Sequence, residues 1–354
     1  MIAWGIIMAC VVAGQLGDAG WRPVVTGSPP TGSPPTGWPT ASDWWRVVSL
    51  ADYNTRVVVF GTALLGAAAG LVGCFTLLRR RALLGDALSH ATLPGICLAF
   101  LLATALGGDG RSLPWLLLGA TLSGVFGVAA VLAIARGTRL KEDAAMGIVL
   151  GVLFGVGVAL LGIVQQSETG HAAGLEAFIY GKTASMTAAD AGRIAITSAI
   201  CVAASVLLFK EWKLICFDGA YAASRGYPVA VLDVALMGLV VAVCIVGLQA
   251  VGLILVIALL VIPAASARFW TDRMGRMMGI AALIGASGSL GGAIGSAAFT
   301  DLPSGALIVL ACGLWFVLSL LFGRRRGLLV RGRHRRRPVR GLSGAKSAGS
   351  GTPG

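Results

Sequence analysis

Charge is the scarcest commodity in this chain. Asp, Glu, Lys and Arg make up 12% of its 354 residues, against about 25% in a typical soluble domain. With 56% hydrophobic residues and a mean hydropathy of +0.86, a water-soluble globule is excluded. Histidine occurs only three times. The seven cysteines (Cys10, Cys74, Cys97, Cys201, Cys216, Cys244, Cys312) show no CxxC spacing, which excludes a metal finger or a dithiol redox motif. Most lie in apolar runs and read as small packing residues. A complete phosphate-binding loop is also missing. Gly181-Lys182-Thr183 has the ending of one, but Glu176 stands where the first glycine is required, and no strand precedes it. No pair of catalytic residues falls at one membrane depth, so the chain reads as a non-enzyme.

What the chain has in abundance is apolar runs of about 20 residues separated by short polar loops, the pattern of a polytopic helical membrane protein. Candidate spans fall at 57–78, 83–106, 114–135, 144–165, 192–209, 229–247, 250–267, 277–299 and 303–323. The expected fold is all-α, with eight to nine transmembrane helices over residues 51–325. Residues 1–16 are apolar but short and lack a basic start, and they read as a leader or short anchor helix. Residues 17–50 include TGSPPTGSPPTGWPT and read as a disordered extracytoplasmic linker with no means of building a core. Residues 326–354 form a basic tail that lies against anionic headgroups or stays solvated.

The formal charge of +13 is a topology signal rather than a mark of nucleic acid binding. Loops after the odd-numbered spans, together with the tail, hold 22 of the 28 Lys and Arg residues. The positive-inside rule then puts the C-terminus in the cytoplasm. Small-xxx-small spacing at Gly66–Gly70, Gly147–Gly151–Gly155, Gly288–Gly292 and Gly291–Gly295 predicts close helix packing. Residues 171–190 are moderately apolar but too interrupted to cross, and they read as a re-entrant or interfacial element on the outer side.

Apart from Arg193 at the very edge of the fifth span, three acidic or imidazole side chains fall within the spans: Asp86, His90 and Asp233. Asp86 and His90 are about one helical turn apart and share a face. A carboxylate oxygen beside an imidazole nitrogen is half a site for a divalent transition metal. Ionisable groups at bilayer depth are costly enough to point to an ion that is bound or relayed. Ser89 and Thr92 adjoin the pair, and Pro94 frees a backbone carbonyl that adds a ligand. The blander alternatives are an interfacial Asp86 paired with the arginines of 79–81, and a hydrogen-bonded core histidine. Asp233, about one turn past Pro228, reads as interfacial. In the cytoplasmic loop KEWKLICFDGAYAASRGYP (210–228), Phe217, Ala220 or Tyr221, and Ser224 fall at helical spacing, with Gly226 and Pro228 as the stop. This predicts a short amphipathic helix able to dock into a groove on a soluble partner.

LRRRALLGDALSHATLPGI (78–96), WKLICFDGAYAASRGYPV (212–229), LQAVGLILVIALLVIPAASAR (248–268) and DLPSGALIVL (301–310) occur in an order that resembles one family. It is the integral membrane subunit of ATP-binding-cassette metal importers, the manganese/zinc/iron permease family. The resemblance covers about residues 50–325. It implies a multi-pass subunit of the bacterial cytoplasmic membrane, paired with a second permease as homodimer or heterodimer. It also implies two cytoplasmic ATPases, an extracytoplasmic metal-binding protein, and Mn, Zn or Fe as transported cargo with no permanently bound cofactor. Asp86 and His90 are then the metal ligands, and Phe217, Asp218, Ala222 and Gly226 belong to the segment coupled to the ATPase. Two rival readings keep the membrane architecture: a permease for a metal chelate such as a siderophore, and a proton-coupled secondary transporter in which Asp86 and His90 relay protons. One carboxylate and one imidazole suit Mn, Fe and Zn alike.

Overall fold

The computed structural model describes Trp45, Val47, Ser49, residues 52–79, Arg81, 84–107, 113–166, Thr183, 186–299, 303–325 and Gly327. The leader, the Gly181-Lys182 fragment and nearly all of the linker and of the basic tail lie outside the described residues. So does the expected re-entrant segment, apart from Thr183 and residues 186–190.

All regular structure among the described residues is helical. In chain order the helices are α1 (Tyr53–Leu78), α2 (Leu84–Ala105), α3 (Leu113–Gly137), α4 (Glu142–Gln166), α5 (Ala188–Leu207), α6 (Phe209–Phe217), α7 (Gly219–Ser224), α8 (Val229–Val251), α9 (Leu253–Arg268), α10 (Met274–Ala298) and α11 (Ser304–Phe322). Eight of them are long and apolar enough to cross a membrane. The nine predicted spans map one by one onto the nine long helices. Start signals follow local chemistry: at the head of α5, Thr187 and Asp190 cap each other's backbone N–H groups in a capping box.

Burial divides the helices into an inner and an outer set. In their most apolar windows α1 is 67% buried, whereas α4 and α11 are 17% buried. The inner set meets through glycine. A Cβ on Gly66 would fall on the backbone carbonyl of Gly285 in α10, one on Gly70 would lie 2.6 Å from the Ala281 carbonyl oxygen, and one on Gly73 would overlap the Leu260 carbonyl of α9. Backbones therefore touch directly, and dispersion replaces the hydrophobic drive that lipid does not supply. Gly288 and Gly292 seat Cys312 and Ile308 of α11 in the same way. Gly147, Gly151 and Gly155 differ from the expectation: a Cβ there meets open space, so this stripe of α4 lies on the outer surface.

The α8–α9 junction also departs from the sequence reading, which put the break at Leu248–Gln249. Helix α8 runs on to Val251, and the chain turns at Gly252, whose φ of +85° favours glycine. Gly247 and Val256 face each other across the turn, so the two helices fold back on one another. The 16 residues of α9 reach about 24 Å, less than the roughly 30 Å of a hydrocarbon core.

Candidate functional site

Asp86 and His90 occupy the first turns of α2. Their face is set by helical spacing: Ala87, Leu88 and Ala91 are buried against neighbouring helices, while the Asp86 and His90 side chains are 37% and 23% exposed. The structure brings the pair together, with Asp86 Oδ1 3.4 Å from His90 Nε2. Phe154 of α4 packs edge-on against the imidazole at a centroid distance of 4.6 Å. Nδ1 of His90 is buried and has no hydrogen-bond partner among the described residues. Nor do the described residues offer a cluster of three or more His, Cys, Asp or Glu that would close a metal shell.

The neighbouring hydroxyls do not extend the pair. Ser89 donates to the Gly85 carbonyl and Thr92 to the Ser89 carbonyl, both buried against their own helix. The polar patch expected around them is thus narrower than the sequence indicates, because short hydroxyl side chains satisfy themselves on the preceding turn. Pro94 does add something. Without an N–H it cannot bond the carbonyl four residues back, and that carbonyl belongs to His90 itself. The proline is held by α4, where a Cβ on Gly157 would lie 3.0 Å from Pro94 Cδ and 2.9 Å from Leu93 Cδ2.

Arg79 and Arg81, the described arginines ahead of α2, pair with other carboxylates than Asp86. Arg79 donates to both Asp233 oxygens at 2.5 Å and, through its other amino group, to the Ile215 carbonyl at 3.1 Å. Arg81 forks onto Glu142 with two bonds of 2.6 Å and reaches Asp233 at 3.4 Å. Burial works against the Arg81 charge, but the Glu142 and Asp233 carboxylates outweigh it and raise the guanidinium pKa above its ordinary value. Asp233, expected at the interface near Pro228, is thus held inside the protein by charge pairing. It is 8% exposed and lies between two arginines. The run of basic residues at 79–81 was legible as a topology signal; its pairing with α4 and α8 was not.

The segment expected to couple to an ATPase is two helices rather than one. Asp218 takes an extended conformation (φ −149°, ψ 91°) between α6 and α7, and its carboxylate accepts from the Tyr221 N–H at 2.9 Å. An aspartate followed by a free helix start is worth more as an N-cap than as a helix-interior residue, which is why the helix breaks there. Phe217 and Tyr221 stand 61% and 51% exposed, whereas Ala222 is wholly buried. Gly226 ends the segment with φ +82°. Helix α6 is anchored by Trp212, whose Nε1 donates to the Leu232 carbonyl at 3.0 Å and whose ring meets Phe75 edge-on. Phe217 and Tyr221 thus present aromatic surface, and Ala222 seats the segment.

Residues 51–323 match the model of the ABC 3 transport family. The chain belongs to this family. It is 42% identical over 284 residues to the manganese transport system membrane protein MntC of Bacillus subtilis, covering 80% of this chain and 64% of that one. It thus spans just under two-thirds of that relative's length. It is also 42% identical over 288 residues to the zinc transport system membrane protein TroC of Treponema pallidum, covering 81% and 95% of the two chains. Among solved structures, PsaBC from Streptococcus pneumoniae in complex with Fab is similar at a TM-score of 0.68 and 25% identity, over 81% of this chain and 98% of that one. As an ABC 3 family member with eight helices long enough to span, the chain is a multi-pass membrane protein.

Proposed function

We propose that this chain is the permease subunit of an ATP-binding-cassette importer for divalent transition metal ions (Mn, Zn or Fe), and that Asp86 and His90 bind the ion in transit. The observation that carries this is the pairing itself. Arg79 and Arg81 are occupied by Asp233 and Glu142, so Asp86 remains available to His90 on the open face of α2. Two donors bound to one metal at about 2.1 Å stand about 3.4 Å apart in tetrahedral geometry and about 3.0 Å apart in octahedral geometry. The separation in the structure, 3.4 Å, lets both enter one coordination sphere. The names and similarity of the manganese and zinc relatives support the cargo class.

Two ligands hold an ion loosely, which suits transport because the site must release what it takes. The freed His90 carbonyl, water, and groups of a second permease facing the open side of α2 complete the shell. An extracytoplasmic binding protein delivers the ion. Cytoplasmic ATPases, on which the energy supply depends, dock on Phe217, Asp218 and the rest of the segment to Gly226. The C-terminus and the coupling segment share the cytoplasmic side of the bacterial inner membrane. Loss of uptake in either metal-site variant separates this reading from a chelate permease, which needs no inner-sphere pair. The test is elemental mass spectrometry of a deletion strain complemented with wild type, Asp86→Ala or His90→Ala, with Mn, Fe and Zn supplied singly. One metal should fall on deletion and return only with wild type; full restoration by both variants would sink the site assignment.

A further inference from the structure

Asp233, Arg79, Arg81 and Glu142 form a cluster that the transport reading leaves without a role. It joins four parts of the protein. Arg79 and Arg81 sit in the short connection, residues 79–83, between α1 and α2. Glu142 is the first residue of α4, and Asp233 lies in the first turns of α8. The fourth part is the coupling segment, reached through the Ile215 carbonyl. Arg79 also borders the α6–α7 junction, since a Cβ on Gly219 would lie 3.7 Å from its Nη1.

Two features set this cluster apart from an ordinary membrane-edge ion pair. Its central members are buried: side-chain exposure is 18% for Arg79, 7% for Arg81 and 10% for Asp233. And one guanidinium holds a backbone group of the coupling segment and a carboxylate of the membrane body at the same time. A planar fork with fixed donor directions does this; an ammonium on a flexible stem does not. Helix α2, with Asp86 and His90 in its first turns, begins within a few residues of both arginines. Arg79 therefore ties α6 to the start of α8 and to the connection that leads into the metal-bearing helix.

We infer that Arg79, held by Asp233, is the positioning residue that transmits displacement of the coupling segment to α2 and its metal pair. Arg81 and Glu142 brace the same connection against α4. The inference rests on the importer reading and specifies how ATP hydrolysis is tied to ion movement.

The experiment uses the complete transporter (permease, ATPase and metal-loaded binding protein) in proteoliposomes, with Mn²⁺ and Zn²⁺ tested singly. Metal uptake and ATP hydrolysis are measured in the same vesicles. Arg79→Lys keeps the charge opposite Asp233 but loses the double grip. Its ATPase rate should stay within about twofold of wild type while metal moved per ATP falls at least tenfold. Asp233→Asn, which removes the shared acceptor charge, should uncouple in the same direction. Co-purification of the ATPase with each variant reports assembly. A wild-type metal-to-ATP ratio in both variants overturns the inference, and so does a proportional fall in uptake and hydrolysis, which would mark a role in assembly only. A wild-type complex that takes up neither ion fails earlier, and counts against the importer reading itself.

Discussion

Truncating the three carboxylates Asp233, Glu142 and Asp86 to alanine should separate structure from transport. Asp233→Ala leaves two buried guanidiniums, Arg79 and Arg81, facing each other without the acid between them. Breaking a buried ion pair by removing one partner costs about 3–5 kcal/mol, because the remaining charge stays desolvated. Glu142 is 47% exposed, so water screens its pair with Arg81; its loss costs about 1 kcal/mol or less. Asp86 is 37% exposed opposite His90, and its removal is similarly mild. Thermal unfolding in detergent, followed by fluorescence-detected size exclusion, should show Asp233→Ala melting on the order of 10 °C below wild type. Glu142→Ala and Asp86→Ala should melt within a few degrees of it. Uptake should invert the order at the mild end, with Asp86→Ala stable but inactive. If Glu142→Ala destabilises as much as Asp233→Ala, or if Asp233→Ala melts with wild type, the burial argument for the cluster is wrong.

Gly157→Ala should drive α4 away from Leu93 and Pro94, at an overpacking cost of about 1–3 kcal/mol. Uptake should fall through displacement of the His90–Phe154 contact, whereas Gly162→Ala, which meets open space, should behave as wild type in both uptake and melting. Gly226→Ala forces an L side chain to a φ of +82°, costing about 1–2 kcal/mol at the end of the coupling segment. The permease should still fold, but co-purification of the ATPase should weaken; unchanged recovery of the ATPase would count against a docking role for this turn.

Much of the fold was legible because hydropathy and helical spacing are local properties. Each long helix needs only its own apolar run to be located, and the Asp86–His90 pair needs only its four-residue offset. What escaped reading depends on distant partners or on competition between backbone conformations. The pairing of Asp233 escaped because its partner Arg79 lies 154 residues away, in the connection between α1 and α2. The turn at Gly252 was hidden by apolar residues on both sides, which favour no particular break point. The split at Asp218 was missed because helical spacing of Phe217, Tyr221 and Ser224 survives a one-residue interruption, while the capping chemistry of an aspartate does not show in a hydropathy pattern. Ser89 and Thr92 looked by position like part of a polar patch, and only their back-bonding to α2 carbonyls removed them. The same limit applies to the glycine stripes: spacing found Gly66–Gly70 and Gly147–Gly151 alike, but only the first has a helix against it.

The central claim is that His90 and Asp86 touch the ion as it passes. X-ray absorption at the K-edge of the transported metal, on the nucleotide-free permease–ATPase complex loaded without binding protein, reads this directly. The account predicts one imidazole in a shell otherwise of oxygen, with the imidazole scattering absent in His90→Ala and one oxygen lost or replaced by water in Asp86→Ala. An imidazole signal that persists unchanged in His90→Ala, or a fully hydrated ion in wild type, would contradict it.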